Sequence, residues 1–405
     1  MTNGPPPRVA RVWDWLTGTH STKSAYWMIL GPTLALTFIG VVMVLSASSV
    51  EYIGGAGSFA SLRSQGVYAV IGIILLFWMG KWRRETYHRL ARIMLIVSIG
   101  LLILVFTPLG VEINGNRNWL WIGGFSFQPA EAAKLAFCVW AAYALTQKLK
   151  TEGYGKKLLV PVVFPFGALI AGLIALGRDL GTMTIMLLII AAVLYLGGMP
   201  TIYLVVTAIA GLLMVILATL TSSNRMLRID AWLGKCDHPT DPCYQYEQGI
   251  FALASGGWFG VGLGQSRQKW SYIPEAGNDF IFTVLGEELG LLGALLVIGL
   301  FITLGIGMFR VAYNTTDHFV RITTGAIMTW LLGQTFMNIA MVTGLLPVIG
   351  VPLPFISAGG SALLMAILAV GVVLSFARQQ AQELQDATRQ AQAPHVPEES
   401  VQSTQ

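Results

Sequence analysis

The sequence predicts an all-α, polytopic membrane protein with about ten transmembrane helices and one large extracytoplasmic loop. Hydrophobic residues make up 55% of the 405 residues and charged residues only 11%, whereas about a quarter of the residues in a soluble domain are charged. Apolar runs recur along the chain, and the longer ones can cross ~30 Å of hydrocarbon. They do not alternate with period two, as the strands of a membrane β-barrel do, so the sequence predicts helices.

The apolar runs define the predicted spans and divide the chain into a membrane domain and two tails. Residues 1–24 are a polar N-terminal tail, residues 25–378 form one membrane domain, and residues 379–405 are too polar to form a core. The last segment is therefore predicted to be a disordered tail. The predicted spans are 26–45, 67–80, 93–109, 130–146, 158–177, 182–198, 203–220, 280–308, 323–343 and 360–377.

Basic residues predict the orientation of these spans. Lysine and arginine are more frequent in the connections that lie inside when both termini are cytoplasmic, as the positive-inside rule requires. The net charge of +5 therefore reflects membrane topology and does not indicate nucleic-acid binding. The first span has no small-residue cleavage site and is expected to remain as a signal anchor. The longest outer connection, about 221–279, is the large extracytoplasmic loop, and long loops in compact domains are usually functional.

Two of the three cysteines lie close together in this outer loop. Cys236 and Cys243 are predicted to form a disulfide, which can persist outside the cytoplasm. Two free thiols, or a metal site that also uses His238, are the alternatives. Cys138 lies within a span and is interpreted as a small packing residue.

The segment Gln128–Lys134 opens the fourth predicted span and carries two charges. Glu131 and Lys134 are i,i+3 neighbours and lie on one face of a helix. One interpretation is a structural ion pair that makes Lys134 tolerable in the membrane. The other is a cation, oriented by Glu131, that binds an anionic substrate. Just upstream, Arg117 and Trp119 are either interfacial anchors or part of a rim that binds sugar and phosphate.

Two other motifs on the outer side have simpler interpretations. Arg178 and Asp179 occupy a short turn between two spans, and a local ion pair is expected there. The glycines of 260–264 resemble a dinucleotide loop, but no βαβ unit surrounds them, so close backbone packing is predicted. The following segment, Ser266 to Lys269, is a candidate for contact with phosphate at the membrane surface.

Carboxylates cluster before and within the eighth predicted span. An ionisable group at a bilayer boundary is a candidate functional residue, and Asp279 is predicted at or near the start of a helix. There it can serve as a general base, and the alternative is an ordinary N-cap. Glu275 precedes it by four residues, while Glu287 and Glu288 lie about two turns into the helix. These two are expected to be buried against structural partners.

Together these motifs resemble the SEDS family of shape, elongation, division and sporulation proteins. The resemblance extends from about residue 25 to 377, in the same order and topology. The cell-division branch fits better than the elongation branch because of Ser46–Ser49, Val111–Gly115 and the residues around Asp279. The motifs that carry it are Asn114–Trp119, Gln128–Lys134, Asp179–Thr182, Gly260–Lys269, Pro274–Asp279, Gly286–Gly290, Gln334 with Asn338, and Leu353–Ser361.

The resemblance implies a ten-helix peptidoglycan glycosyltransferase that polymerises lipid II at the outer face of the bacterial cytoplasmic membrane, at the division septum. Lipid II flipping is the alternative activity. The family's essential aspartate falls on Asp279, and undecaprenyl pyrophosphate is the leaving group. A class B penicillin-binding protein and other division proteins are implied partners. The resemblance leaves open a divalent cation, Mg or Mn. The implied substrate-binding residues are Arg117, Trp119, Glu131, Lys134, Ser266, Lys269, Glu275, Gln334 and Ser357.

The sequence also departs from the family pattern in a few places. Ala130 and Ala362 each stand where a serine is usual, and Asn278 stands where a threonine is commoner. The segment from Cys236 to Cys243 is an insertion. None of these departures removes a charged group, so they concern substrate contacts and leave the predicted activity in place.

Overall fold

A computed structural model describes residues 19–48, 58–113, 115–122, 125–152, 160–220, 223–235, 242–268 and 277–392, and most of these residues are helical. Their twelve helices are α1 (Thr19–Ser48), α2 (Ser58–Met79), α3 (Arg84–Leu104), α4 (Pro129–Glu152), α5 (Val160–Leu176), α6 (Leu180–Leu196), α7 (Thr201–Leu220), α8 (Ser223–Trp232), α9 (Pro242–Ser255), α10 (Ile281–Tyr313), α11 (His318–Val342) and α12 (Gly360–Gln392).

Five of these helices are long and apolar enough to cross a membrane, which confirms the predicted helical membrane fold. They comprise Ser24–Ser48, Arg84–Leu104, Ile281–Tyr313, His318–Val342 and Gly360–Gln392. Shorter apolar helical stretches cover Arg63–Met79, Val163–Leu176, Leu180–Leu196 and Leu204–Leu217. The fourth predicted span corresponds to α4, which carries charged residues. The exact number of spans stays a prediction.

A small antiparallel sheet between α3 and α4 is an addition to the predicted helical fold. Its strands are β1 (Gly110–Ile113), β2 (Asn116–Ile122) and β3 (Phe125–Phe127), in the order β1-β2-β3. Val111 pairs with Trp119, and Leu120 pairs with Phe127. The hydropathy pattern does not reveal these strands because they are short and β2 is rich in polar residues. Side chains alternate between the two faces of β2, but over one strand of 7 residues only.

The interior of the helical domain is formed mainly by α4, α11 and α12. Their fully buried large side chains include Phe137, Trp330 and Phe376. Around them, α1 packs against α10, α2 against α12, α3 against α4 and α6 against α11. The outward face of α7 exposes apolar side chains such as Val205 and Leu212, as expected for a surface in contact with lipid.

The helix that follows Asp279 is broken at Gly290, which corrects the prediction of one continuous span over 280–308. Gly290 has φ 68° and ψ −170°, a conformation that glycine adopts without steric cost. The segment 256–262 fills the break: the N–H groups of Leu291 and Leu292 donate to the carbonyls of Gly257 (2.9 Å) and Trp258 (3.2 Å). We call residues 281–289 the short helix, because the break separates them from the spanning part of α10.

The glycines of 260–264 begin a glycine-rich segment that extends to residue 267. Its backbone packs against this break, as predicted for those glycines. Val261 N–H donates to the carbonyl of Glu287 at 2.9 Å, and Gly262 N–H donates to that of Glu288 at 3.1 Å. A β-carbon at Gly260 would overlap the carbonyl of Glu288. Only glycine at this position permits the two backbones to approach each other so closely.

The C-terminal helix is longer than expected. α12 continues to Gln392, so the prediction of disorder from residue 379 is wrong for 379–392. This stretch is rich in strong helix formers such as Ala, Gln, Glu and Leu, and it extends a helix that already exists, so no new nucleus is needed. The Gln380 side chain also donates to the carbonyl of Val311 at 2.9 Å.

Two of the three cysteines, Cys138 and Cys243, lie among the described residues. Cys243, in the first turn of α9, is disulfide-bonded. Its predicted partner, Cys236, lies outside the described residues. Cys138 is buried in α4 as a free thiol, which agrees with the interpretation of a packing residue.

Candidate active site

A cavity of about 1000 Å³, lined by both polar and apolar side chains, lies where β2, α4, α6, α8, α11 and the loop 347–360 meet. Five of the predicted site residues line this cavity: Trp119, Glu131, Asp279, Gln334 and Ser357. The structure therefore brings together residues that are separated by more than half of the chain. The volume of the cavity is at the upper end of the range of ordinary ligand sites, ~300–1,000 Å³.

Asp279 is placed at the cavity wall by the turn that precedes the short helix. Phe280 holds the N-cap position and makes no side-chain cap bond, so the alternative interpretation of Asp279 as an ordinary N-cap is not supported. Asn338 of α11 donates from its side-chain amide to the carbonyl of Asp279 (2.8 Å) and to that of Val351 (2.7 Å). One amide therefore ties both the Asp279 turn and the loop 347–360 to α11.

Ser357 fixes the same turn from the other side. Its hydroxyl donates to the carbonyl of Asn278 at 2.7 Å and accepts from the N–H of Leu353 at 2.7 Å. The N–H of Ala358 donates to the carbonyl of Gly277 at 2.8 Å. The backbone around Asp279 is thus held by several hydrogen bonds, and its half-buried side chain faces the cavity.

Gly350 lies beside the Asp279 carboxylate and has a positive φ of 76°. A β-carbon at this glycine would lie 3.4 Å from Asp279 Oδ2 and 3.7 Å from Arg228 Nη1. The carboxylate and the guanidinium therefore flank the same small region of backbone. Arg228 comes from α8 in the outer loop.

Glu131 and Lys134 form a buried ion pair, with Lys134 Nζ 2.8 Å from Glu131 Oε1. Lys134 also donates to Gln334 Oε1 at 3.0 Å, and its ammonium lies 4.7 Å from the centre of the Trp330 ring. Glu131 lines the cavity, whereas Lys134 is 1% exposed and lies behind the wall. The geometry is that of a structural ion pair. Contact of Lys134 with substrate stays a prediction.

Gln334 connects this ion pair to the loop 347–360. Its Oε1 atom accepts from Lys134 and from Trp330 Nε1 (2.9 Å), while its Nε2 donates to the carbonyl of Pro352 (2.8 Å). All polar atoms of this side chain are thereby used within the protein, although the residue lines the cavity.

Asp179 is a second buried carboxylate at the cavity, and it corrects the expected ion pair with Arg178. Asp179 Oδ2 accepts from Asn118 (2.8 Å), Gln128 (2.9 Å) and the Thr182 hydroxyl (2.9 Å), and Oδ1 accepts from the Thr182 N–H. It is the N-cap of α6, where a carboxylate is favoured by the helix dipole. Neutral donors on β2, before α4 and on α6 replace the predicted cation.

Arg225 and Arg228 of α8 line the cavity together with Arg178. Sequence reasoning missed the two α8 arginines. Their i,i+3 spacing in the long outer loop is the signal that could have identified them, because that spacing places two side chains on one helix face. Burial lowers the pKa of Arg225, and the neighbouring Arg228 and Arg178 lower it further, against the opposing effect of Asp179.

Two predicted substrate-binding residues have other contacts. The guanidinium of Arg117 donates to the carbonyls of Val105 (3.1 Å) and Thr107 (2.8 Å) and ties β2 to the end of α3. Ser266 is fully buried, and its hydroxyl donates to Glu287 Oε2 at 2.5 Å. Neither residue lines the cavity. Lys269 and Glu275, also predicted to contact substrate, lie outside the described residues.

Glu287 and Glu288 are buried against structural partners, as expected. Besides Ser266, the backbone N–H of Arg267 donates to Glu287 Oε1 at 2.9 Å. Ser46 of α1 donates to Glu288 at 2.6 Å. These bonds join α1, the end of the glycine-rich segment and the short helix.

Within the described residues, no group of three or more His, Cys, Asp or Glu side chains is placed to hold a metal ion. Three carboxylates line the cavity, those of Glu131, Asp179 and Asp279, and Asp279 is the half-buried one. Mg²⁺ is commonly held by one or two carboxylates together with substrate phosphates, and the residues present fit that kind of site.

Comparison with known proteins identifies the family to which the chain belongs. A family model described as "Cell cycle protein", which represents FtsW, RodA and SpoVE, matches residues 26–382. A protein of Mycobacterium tuberculosis named "Probable peptidoglycan glycosyltransferase FtsW" is 36% identical over 357 residues, which cover 88% of this chain and 68% of that protein. "Stage V sporulation protein E" of Bacillus subtilis is 36% identical over 350 residues, covering 85% and 95% of the two chains.

Solved structures show the same fold. A chain from the work described as "Structural coordination of polymerization and crosslinking by a peptidoglycan synthase complex" is 25% identical, with a TM-score of 0.71 and coverage of 88% of this chain and 98% of that one. RodA, the rod shape determining protein of Thermus thermophilus, is 25% identical, with a TM-score of 0.63 and coverage of 87% and 97%.

Proposed function

Because the chain belongs to the family of cell cycle proteins that includes FtsW, RodA and SpoVE, we propose that it is a peptidoglycan glycosyltransferase that polymerises lipid II. The observation that carries this proposal is the position of Asp279, which faces a cavity of about 1000 Å³ lined by polar and charged side chains. Relatives that share 36% or 37% of their residues with this chain are named peptidoglycan glycosyltransferases.

In the proposed reaction, Asp279 acts as the general base. Its carboxylate accepts the proton of the 4-hydroxyl of one lipid II sugar while that oxygen bonds to the anomeric carbon of the lipid-linked strand. The bond between the anomeric carbon and the pyrophosphate oxygen breaks, and its electron pair leaves with undecaprenyl pyrophosphate. The hydrogen bonds from Asn338 and Ser357 support this role because they fix the backbone on which the base is carried.

A divalent cation remains part of the proposal and is not required by any step above. Asp279 and the phosphates of the bound substrate would hold it. When bound, Mg²⁺ or Mn²⁺ would stabilise the negative charge that develops on the leaving group.

We further propose that the protein works at the division septum, with both termini in the cytoplasm and the cavity open to the outer side. The excess of basic residues on the inner side supports this orientation. A class B penicillin-binding protein is the proposed partner, since a structural relative belongs to a complex described as coordinating polymerisation and crosslinking. The division role is preferred to elongation because the relatives at 36% and 37% identity include proteins named FtsW.

The test is polymerisation of lipid II by the purified protein with its transpeptidase partner. Asp279→Asn is expected to lower the rate by ~10²–10⁴-fold, the usual contribution of a general base, without loss of folding. Asp230→Asn is the matched control, because Asp230 lies in α8, is partly exposed and does not line the cavity. Near-normal polymerisation by folded Asp279→Asn protein would remove the assignment of the base.

A further inference from the structure

The proposed reaction needs positive charge to stabilise the anionic leaving group, and the residues expected to supply it are not at the cavity. Arg117 and Lys134, which the sequence suggested for binding the anionic leaving group, are bonded elsewhere and do not line the cavity. The basic side chains that do line its described wall are Arg178, Arg225 and Arg228. We call these three residues the arginine cluster.

We propose that the arginine cluster binds the pyrophosphate of the lipid-linked substrate. The proposal rests on the proposed function and adds to it the residues that bind the leaving group. Arginine suits this task because its planar guanidinium can donate two parallel hydrogen bonds to a phosphate. The negative charge on the leaving pyrophosphate grows as its bond to the sugar breaks, so cations placed there stabilise the transition state more than the ground state.

The sequence of α8 brings two members of the cluster to one place. Arg225 and Arg228 are three residues apart in a 10-residue helix, so they lie on the same face. Arg228 also donates to the carbonyl of Val348 at 3.4 Å, and this contact sets α8 against the loop that borders Asp279. The helix is thus positioned to present guanidinium groups to the cavity.

The third member is brought to the cluster by an unusual backbone conformation. Arg178 has φ 63°, a left-handed value that costs free energy for a residue with a side chain and is often found at functional sites. The Arg225 guanidinium donates to the carbonyl of Arg178 at 2.8 Å. The exposed Arg178 side chain borders the cavity. Arg225 therefore connects the two parts of the cluster.

Nearby acidic groups leave the cluster able to attract an anion. Glu131 is compensated by Lys134 at 2.8 Å. Asp179 accepts four hydrogen bonds from neutral donors, which leave its negative charge in place. Asp179 and Asp279 therefore carry two negative charges against the three positive charges of the arginine cluster, and the balance at this wall stays positive. Asp279 and Arg228 flank Gly350, so the proposed base and the proposed anion site border the same part of the cavity.

The three guanidinium groups repel one another because they line the same cavity wall. Burial lowers the pKa of Arg225, and Arg228 and Arg178 lower it further, against the opposing effect of Asp179. Like charges held together at a cavity wall are costly to the free protein, and a bound anion relieves that cost.

Binding measurements on the full-length protein test the assignment separately from catalysis. The probes are undecaprenyl pyrophosphate and undecaprenyl monophosphate, which share the lipid and differ in one phosphate. The expected result is that Arg225→Gln/Arg228→Gln protein binds the pyrophosphate at least about 10-fold more weakly. Its affinity for the monophosphate should change much less, so that the preference for pyrophosphate is reduced.

Three further variants separate charge, geometry and folding. Lys235→Gln removes a positive charge from the exposed residue that follows α8, and it should leave both affinities unchanged. Arg228→Lys keeps the charge without the fork-shaped donor and should restore only part of the affinity. Arg178→Asn removes the charge with a residue that tolerates positive φ, so weaker pyrophosphate binding by this variant cannot be assigned to backbone strain.

Unchanged pyrophosphate affinity in the folded Arg225→Gln/Arg228→Gln and Arg178→Asn proteins would overturn the proposal. An equal loss for both probes would also overturn it, because it would indicate a general structural effect. If the unsubstituted protein binds the pyrophosphate through the cluster but does not polymerise lipid II, then the proposed function fails and the arginine assignment stands.

Discussion

Asn338 donates from one side-chain amide to the carbonyls of Asp279 and Val351, at 2.8 and 2.7 Å. These two bonds connect the turn that carries the proposed base to the loop 347–360, which contains Gly350. The position of Asp279 therefore depends on α11 as well as on the helix that it precedes.

Asn338→Leu is expected to reduce polymerisation strongly. The substitution leaves two buried carbonyls without their donor and should lower the free energy of unfolding by about 1–3 kcal/mol. Thermal denaturation and lipid II turnover at equal folded protein give the two readouts. Thr335→Val is the control on the same helix, because its hydroxyl bonds only to the Leu331 carbonyl within the helix. Full activity of folded Asn338→Leu protein would contradict the positioning role.

The Glu131–Lys134 pair should behave as one unit in stability. Lys134→Met leaves the Glu131 carboxylate buried without its cation and is expected to destabilise the protein by about 3–5 kcal/mol. Adding Glu131→Gln should recover much of this loss, because no uncompensated charge then remains. A double-mutant cycle measured by thermal or denaturant unfolding checks the coupling. Additive effects would indicate that the two side chains do not depend on each other.

Ser266→Ala is expected to lower stability even though serine to alanine is a small change. The Ser266 hydroxyl donates to the buried Glu287 carboxylate, and hydrogen bonds to charged groups are worth about 1.5–3 kcal/mol. Ser255→Ala is the comparison, since that hydroxyl bonds to the Ala252 carbonyl one turn earlier. The melting temperatures of the two variants are compared, and that of Ser266→Ala is expected to be the lower. Equal values would mean that the Ser266–Glu287 contact adds no stability.

The disulfide of the outer loop should be dispensable for chemistry. Cys236→Ser/Cys243→Ser protein is expected to polymerise lipid II at close to the normal rate. Closing so small a loop removes little entropy from the unfolded chain, about 2 kcal/mol by the loop-closure model. Turnover is measured with saturating partner protein, and the unsubstituted protein under reducing conditions serves as the comparison. An inactive, folded variant would show that this loop shapes the active site.

The sequence predicted the family and the helical membrane fold correctly because both depend on long apolar runs and on ordered motifs. It also predicted that Glu131, Asp279, Gln334 and Ser357 would meet at one site. The β2 strand and the break at Gly290 were missed because each depends on a few residues whose hydropathy resembles that of their neighbours. The helix α4 could be recognised despite Lys134, since the charge partner of Lys134 follows from helical spacing, and its membrane crossing stays a prediction.

The contacts of individual polar residues were harder to predict. Ser266 was expected to contact substrate, and only tertiary packing places it under Glu287. Arg178 was expected to pair with its neighbour, but Asn118 and Gln128 reach Asp179 from other elements. Arg225 and Arg228 carry the same charge as many membrane anchors, so their place in the cavity becomes visible only when α8 is folded against the loop 347–360.

Because the helix is broken at Gly290, the directions in which side chains of the short helix point are independent of those in the membrane span. An additional residue within 281–286 would turn the start of the short helix by about 100° relative to Glu287 and Glu288 and shift it by about 1.5 Å along the axis. This rotation would act against the hydrogen bonds from Asn338 and Ser357 that hold the Asp279 turn. An additional residue after 292 leaves that angular relationship intact, because the bonds from Leu291 and Leu292 to the carbonyls of Gly257 and Trp258 hold the break itself. The direction of Asp279 therefore depends on the number of residues between Phe280 and Glu287 as well as on the hydrogen bond from α11.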